Sequence, residues 1–256
     1  MRQQISAALI VRNEEKYIRQ CLDSIKWTDE IVIVDGYSTD KTVEICKEYT
    51  DKIYQKNFEG FNIERQYLLS KCSNKWVLMV DADMIIPEET KNEIIAKLNE
   101  DNLDKFAAYN FRTLNIYLGK EIKHCGWFDP TFTRFFNKEK GGYDTRLKYI
   151  DNFIPTGKIG IMKNYIIHYG FETISEHFSR MDRYSTLNAY DLQIKGVKVK
   201  PHNILYYFGI KPVLIFIYKY FYKLGFLDGF PGFCISALSG ITYFVSYLKL
   251  YEMQKK

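Results

Sequence analysis

Histidine is scarce in this chain, four in 256 residues, and no two are spaced as metal-ligand pairs are. A zinc centre therefore lacks its usual donors, even where His124 stands beside Cys125. Cysteine is little commoner: Cys21, Cys46, Cys72, Cys125 and Cys234 are scattered, odd in number and never spaced as Cys-x-x-Cys. That pattern does not suit a disulfide framework and leads us to expect a reduced, cytosolic set, most of them small core hydrophobes. There is no internal repeat and no low-complexity stretch. The early run "ISAALIV" is too short, and too soon followed by the charges of "RNEE", to be a signal peptide, so export is not expected. "RNEE" also contains no glycine, which argues against the Gly-rich phosphate loop that a sugar nucleotidyltransferase would place after its first strand. The length suffices for one large core with an appendage, or for two small domains.

Negative charge is what the last quarter lacks. From Lys195 onward there are nine lysines against Asp228 and Glu252, a net +7, so the overall +5 leaves −2 for everything before. The aromatics of this tail lie in aliphatic runs such as "VLIFIYKYFY" and "GFCISALSGITYFVSYL". Cations framing apolar, Tyr- and Phe-rich helices fit an anionic bilayer surface better than nucleic acid. Gly229 to Leu248 is twenty residues without a charge, long enough on paper to cross about 30 Å of hydrocarbon. Pro231 and three glycines interrupt it, and Lys211, Lys219 and Lys223 punctuate the segment before. Helices lying in or dipping into the cytoplasmic leaflet are therefore expected rather than a true span.

The first hundred residues alternate. "ISAALIV" leads into a helix with Ile18, Cys21, Leu22 and Ile25 at helical spacing; "EIVIVD" ends on Asp35 and leads through "GYSTDKT" into a second helix with Val43, Ile45, Cys46 and Tyr49. "DKIYQ", "GFNIERQYLLSKC", "KWVLMVDAD" and "PEETKNEIIAKLNE" continue the series as strand, helix, strand and helix, with Pro87 in the last helix's first turn. Such βα units imply a parallel sheet, which binds ligands beyond the carboxyl ends of its strands. Asn13, Asp35, Asp81 and Asp83 all fall at such ends. After about residue 105, "KFAAYNFRTLNIYLG", "TFTRFFNK" and "KNYIIHYGF" look like strands of a mixed extension of the same sheet, and "ISEHFSRMDRYSTLNAYDLQIKG" like a polar amphipathic helix.

In "VLMVDADMII", residues 77–86, a strand apolar enough to be buried on both faces ends on two carboxylates with one small residue between. Asp81 and Asp83 suit a polar turn ahead of the next helix. Taken alone the pair favours that reading, and its context decides whether it instead serves a hard divalent cation and the polyphosphate that it carries.

The combination of "RNEEKYIRQCLDSIKWTDEIVIVD", "STDKTVEIC", "EGFNIERQYLLS", "KWVLMVDAD", "GWFDPTFTRFF", "HYGF", "RYSTL" and "GFLDGF" resembles the family 2 glycosyltransferases, in particular the branch with lipopolysaccharide core β-1,4-glucosyltransferases and related cell-surface glycan enzymes. The resemblance runs over nearly the whole chain. It implies the GT-A fold, an α/β, Rossmann-like, mostly parallel sheet flanked by helices, here over residues 1–194: a nucleotide-sugar half, 1–104, and an acceptor-side half, 105–194. The basic, aromatic helical tail, 195–256, follows. It further implies an inverting, metal-dependent hexosyl transfer from a nucleotide-sugar donor, a UDP-hexose, to a lipid-linked or lipopolysaccharide-type glycan acceptor, with Mn2+ or Mg2+ as cofactor. The enzyme would sit in the cytoplasm on the inner face of the cell membrane. A family member that binds nucleotide sugar or membrane without catalysis is the competing expectation.

By the same resemblance Asp83 is a metal ligand, Asp81 a ribose or metal contact, Asp35 a base-binding residue and Arg65 a partner for the diphosphate, with Asn13 beside them on the donor rim. His168 matches a family histidine near the diphosphate or metal, although a lone histidine in an apolar strand also suits a core. Trp127 suits a sugar-stacking platform or a core equally. Two positions depart from the pattern: Met84 stands where relatives usually carry Glu, and Ile150-Asp151 where many have His-Glu. Asp151 is the expected general base, being the carboxylate at that place, and Asp129 in "GWFDP" is the alternative.

Overall fold

A computed structural model describes residues 2–129, 132–149 and 152–255. In chain order its first half holds β1 (Ile5–Val11), α1 (Ile18–Ile25), β2 (Glu30–Asp35), α2 (Thr42–Cys46), β3 (Ile53–Gln55), α3 (Phe61–Lys71), β4 (Trp76–Asp81), β5 (Met84–Ile85) and α4 (Glu88–Leu98). The second half holds β6 (Phe106–Tyr117), β7 (Lys120–Ile122), β8 (Phe132–Asn137), β9 (Gly141–Gly142), β10 (Ile154–Pro155), β11 (Lys158–Phe171), α5 (Ile174–Ile194), α6 (Lys211–Ile217) and α7 (Phe230–Met253). The chain divides into two compact units, Met1–Thr113 with Asp129–Thr145 and Asp151–His168, and Leu114–Phe128 with Arg146–Ile150 and Tyr169–Lys256.

The first unit is built by strands that are apolar on both faces. Ile5, Ala7, Leu9 and Val11 of β1 join Ile31, Ile33, Leu78 and Val80 in one buried cluster, closed by α1 and by Ile94 and Leu98 of α4. Alternate residues, Ala8, Val32, Val34, Val77 and Met79, form a second cluster under Leu68 and Leu69 of α3. This two-residue alternation, read on both sides, is why the sheet must lie between helix layers. Sheet order is β3-β2-β1-β4-β8-β6-β11-β5. The β1, β2, β3 and β4 pairings are parallel, whereas β8 is antiparallel to both β4 and β6. The mixed extension expected after residue 105 is thus present.

β11 is longer than the "KNYIIHYGF" run that marks it in the sequence. Glu93 of α4 accepts the backbone N–H groups of Lys163 and Asn164 at 2.8 and 2.9 Å, so two donors inside the strand are satisfied from a helix.

In the second unit, β7 pairs antiparallel with the end of β6. Trp127 packs on Tyr117, Ile122, Cys125 and Ile235, so it closes a core. α5 and α7 are tied by Asn188 Nδ2 donating to Ser246 Oγ at 3.0 Å and by Lys249 Nζ donating to Asp182 and Thr186. His124 Nδ1 is 2.9 Å from Asp228 Oδ1, and Asp228 also accepts the N–H groups of Lys123 and His124.

The expected interruptions of the last helix are absent. α7 runs unbroken, with Pro231 in its first turn, where the missing N–H is not needed. A Cβ at Gly232 would stand 1.9 Å from Gly225 O, and one at Gly240 2.7 Å from Pro212 O, so these glycines permit close backbone approach and do not break the helix. All five cysteines are buried and free.

Candidate active site

The parallel register sets the rim. Val11 pairs with Asp35 and Ile10 with Asp81, so the carboxyl ends of β1, β2 and β4 lie level. The loops leaving β1 and β2 are laced together. Asn13, in the left-handed region at φ 55°, donates its N–H to Ser38 Oγ at 2.9 Å and accepts from Thr39 N–H at 2.8 Å. Glu14 N–H donates to Thr42 Oγ1 at 2.7 Å, and Lys41 N–H to Glu15 at 3.1 Å. "RNEE" and "STDKT" therefore form one structure although about 25 residues part them. Asp35 is fully buried; both its oxygens accept from Ser38 N–H and one from Gln55 Nε2 at 3.3 Å. It holds the turn that carries Tyr37, a half-exposed ring at φ 59°. A non-glycine residue in that region is a strained one, and such strain concentrates at functional sites.

Asp81 is gripped by two arginines. Arg65 donates to its Oδ1 at 2.8 Å, and Arg134 forks across both oxygens at 2.7 and 3.3 Å. Both guanidiniums are buried. Burial alone would raise the Asp81 pKa, but Arg134 and then Arg65 outweigh it and hold the carboxyl well below the usual carboxylate range. Arg65 comes from α3 and Arg134 from β8. The second was not singled out in the sequence, where it sits unremarked in "TFTRFF"; its one signal is a charge within a strand otherwise of Phe, Thr and a terminal Asn.

Asp83 follows in the turn after β4, across the buried Ala82, and is itself buried. His168 is brought to Asp83 by pairing of β11 with the two-residue strand β5, in which His168 faces Met84. Its Nε2 lies 3.4 Å from Asp83 Oδ1. Burial works to lower the His168 pKa, and the charges of Asp83 and then Asp81 raise it above the ordinary histidine value. Met84, the departure from the family pattern, is buried and supplies the backbone that positions His168.

These residues fit a divalent cation of the kind shared with phosphates. The 3.4 Å between Asp83 Oδ1 and His168 Nε2 is close to the edge of roughly 3 Å between neighbouring ligands around a small octahedral ion. Among the described residues no three His, Cys, Asp or Glu side chains converge as a closed metal cage. An ion bound by one carboxylate and one imidazole would take its remaining ligands from substrate oxygens and water, as Mg2+ and Mn2+ sites do.

Of the other expected residues, Asp151, together with Ile150, lies outside the described residues. Asp129 is half-buried in a bend.

The family description "Glycosyl transferase family 2" matches residues 6–168. An uncharacterized glycosyltransferase of Rickettsia prowazekii is 28% identical over 98% of this chain and 88% of its own length. The lipopolysaccharide core biosynthesis glycosyltransferase LpsC of Rhizobium meliloti is 27% identical over 97% of this chain and 92% of its own. Among solved structures, S. aureus TarS 1-349 in complex with UDP-GlcNAc superposes with a TM-score of 0.54 at 17% identity, over 99% of this chain and 92% of that one. Glucosyl-3-phosphoglycerate synthase from Mycobacterium tuberculosis, in complex with Mn2+, UDP and glucosyl-3-phosphoglycerate, gives 0.51 at 16%, over 77% and 82%. The fold is accordingly the GT-A architecture that the sequence pointed to, followed by C-terminal helices.

Proposed function

Since the chain belongs to glycosyl transferase family 2, we propose that it moves a hexose, with inversion, from a UDP-sugar to a lipid-linked or lipopolysaccharide-type glycan on the inner face of the cell membrane. The observation that carries this reading is the constellation on one rim: Asp83 against His168, beside Asp81 held by Arg65 and Arg134. The relative named for lipopolysaccharide core biosynthesis supports the acceptor class.

In this reading the laced loops of Asn13 and Asp35 receive the nucleoside, with Asp35 setting the turn and the ring of Tyr37 offering a flat face to the base. Asp81, kept ionised and oriented by its two arginines, accepts from the ribose or joins the cation. Asp83 and His168 would hold Mn2+ or Mg2+. The bound cation supplies Lewis-acid stabilisation of the charge that grows on the departing diphosphate. Arg65 and Arg134, buried and held on Asp81, leave one positive charge in excess on the donor rim, where it would favour the diphosphate. The acceptor hydroxyl attacks from the face opposite the leaving group and gives its proton to a carboxylate there. Asp151 is assigned that proton, with Asp129 the alternative.

UDP release from a panel of UDP-hexoses, with Mn2+ and glycolipid-bearing membranes as acceptor, tests the proposal. Release that needs both donor and acceptor and disappears in Asp83→Asn is the expected result. No release with any donor above the buffer rate would contradict it.

A further inference from the structure

The helical path Pro201–Tyr222 has none of its apolar window buried, whereas 44% of that of α7 is. From Ile204 to Phe233 every exposed residue is aliphatic, aromatic or glycine. Leu205, Tyr222 and Phe230 are 73%, 75% and 69% exposed, and Val213, Leu214 and Phe221 more than half. Two of the three lysines inside this stretch are directed to partners off that face, and the third lies over one of its rings. Lys211 Nζ bonds Tyr247 Oη, Lys219 Nζ donates to the Cys125 carbonyl, and Lys223 Nζ lies over the Tyr218 ring. Exposed cations stand at its borders instead: Lys195, Lys198 and Lys200 before it and Lys255 after it.

Water does not tolerate a continuous apolar surface of this extent on an isolated chain. A protein partner would be met by polar side chains of mixed kind around an apolar centre; within Ile204–Phe233 no exposed residue is polar apart from the tyrosine hydroxyls, and the lysines named at its borders carry one sign of charge. Hydrocarbon requires no such rim, the tyrosines suit its boundary with water, and the bordering lysines suit anionic headgroups.

We propose that Ile204–Phe233 is a monotopic docking surface that enters one leaflet of an anionic bilayer and does not cross it. The rest of α7, beyond Phe233, stays outside as a support. Its C-terminal half is fastened to α5 through Lys249 and Asp182, and the Asp182 side chain is 79% exposed, a carboxylate that hydrocarbon would not accept. This deepens the membrane part of the function proposed above and rests on that reading only for why the enzyme should be there.

The test is flotation of the full chain with vesicles of phosphatidylethanolamine and phosphatidylglycerol, 3:1, for the natural sequence and for Leu214→Glu/Phe221→Glu. Circular dichroism and UDP binding report on the fold and the donor site. Flotation of the natural chain and at least a tenfold loss in the double variant, with unchanged circular dichroism, is expected. A milder pair, Leu214→Ser/Phe221→Ser, is expected to lie between. A natural chain that stays at the bottom, or a double variant that floats as well, overturns the proposal. So does a dimer, seen by sedimentation without lipid, that the double variant dissolves while neither protein floats, since a second copy is then the occupant. In Leu227→Cys the new thiol should be protected from a membrane-impermeant maleimide on either side of the vesicle; reaction with reagent trapped inside means a crossing and overturns the one-leaflet part, and full reaction with reagent outside means that the surface is not inserted and overturns the proposal. Flotation as stated in a chain that fails to bind UDP leaves this proposal standing and removes the sugar-transfer reading.

Discussion

His168 faces Met84 across an antiparallel pair of strands, and the same pairing sets its Nε2 3.4 Å from Asp83 Oδ1. A two-residue strand directly after the acidic triplet is thus the device that turns a histidine 85 positions downstream into a neighbour of the rim. The side chain at 84 points into the core, so the chemistry at this position is carried by its backbone.

Arg134 should matter as much as the acid it holds. Arg134→Ala leaves Asp81 with Arg65 alone and is expected to lower stability by about 2–4 kcal/mol, somewhat below the about 3–5 kcal/mol of breaking a fully buried pair, because Arg65 remains and Asp81 is partly exposed. It should also weaken UDP binding. Arg134→Lys keeps the charge without the fork and should fall between. Thermal denaturation and calorimetry with UDP measure both effects; a variant indistinguishable from the natural chain in both would remove Arg134 from the site.

Glu30, at the start of β2, accepts from Ser6, from Ser73 N–H at 2.8 Å and Oγ at 2.7 Å, and from Lys52. Burial works to raise its pKa, and the hydrogen bonds from Lys52, Ser6 and Ser73 outweigh this and bring it down to about 2. A folded pKa below the unfolded one gives stability that is complete above about pH 4.5 and is lost as pH falls through 2. Glu30→Gln should therefore cost about 1–2 kcal/mol at pH 7, allowing for solvent screening, and progressively less toward pH 2. Urea denaturation at pH 7, 4.5 and 3 measures the narrowing; a constant difference would contradict it.

Gly232→Ala is a test of packing against propensity. Alanine is better than glycine in a helix by about 1 kcal/mol, yet its methyl would meet Gly225 O. Net destabilisation of about 1–3 kcal/mol is expected, as for other overpacked sites, measured by chemical denaturation; a stabilised variant would show the backbones free to part.

The general base is assigned by kinetics. Asp151→Asn should keep donor binding while kcat falls about a hundredfold or more, the scale of a lost proton acceptor. Normal turnover in that variant together with a dead Asp129→Asn would move the role to Asp129.

Much of the first unit was legible because its strands are apolar on both faces and its helices keep a 3.6-residue period, so β1, β2 and β4 and the acids closing them stand out in the sequence. Asn13 and Asp35 were legible as rim residues, but not the lacing of their loops, which depends on side chain to backbone bonds between separate turns. Arg134 was missed because its partner, Asp81, is 53 positions away and a charged residue in a strand ordinarily reads as its solvent face. Met84 was legible only as a departure from the family pattern, since a strand of two residues has no period to detect. In the tail, composition revealed the basic and apolar character, whereas the inward turn of Lys211 and the helix-to-backbone contacts of Gly232 and Gly240 are tertiary facts with no local signature.

The central claim is that Asp83, with His168, carries the cation on which the donor diphosphate rests. Calorimetric titration of UDP, with Mn2+ and with chelator, on the natural chain and Asp83→Asn tests it most directly. The account predicts UDP binding that Mn2+ strengthens at least about tenfold and a variant in which that gain is lost, because an amide is a poor ligand for a hard ion. Equal UDP affinity with and without Mn2+, or a full Mn2+ gain in Asp83→Asn, would contradict it.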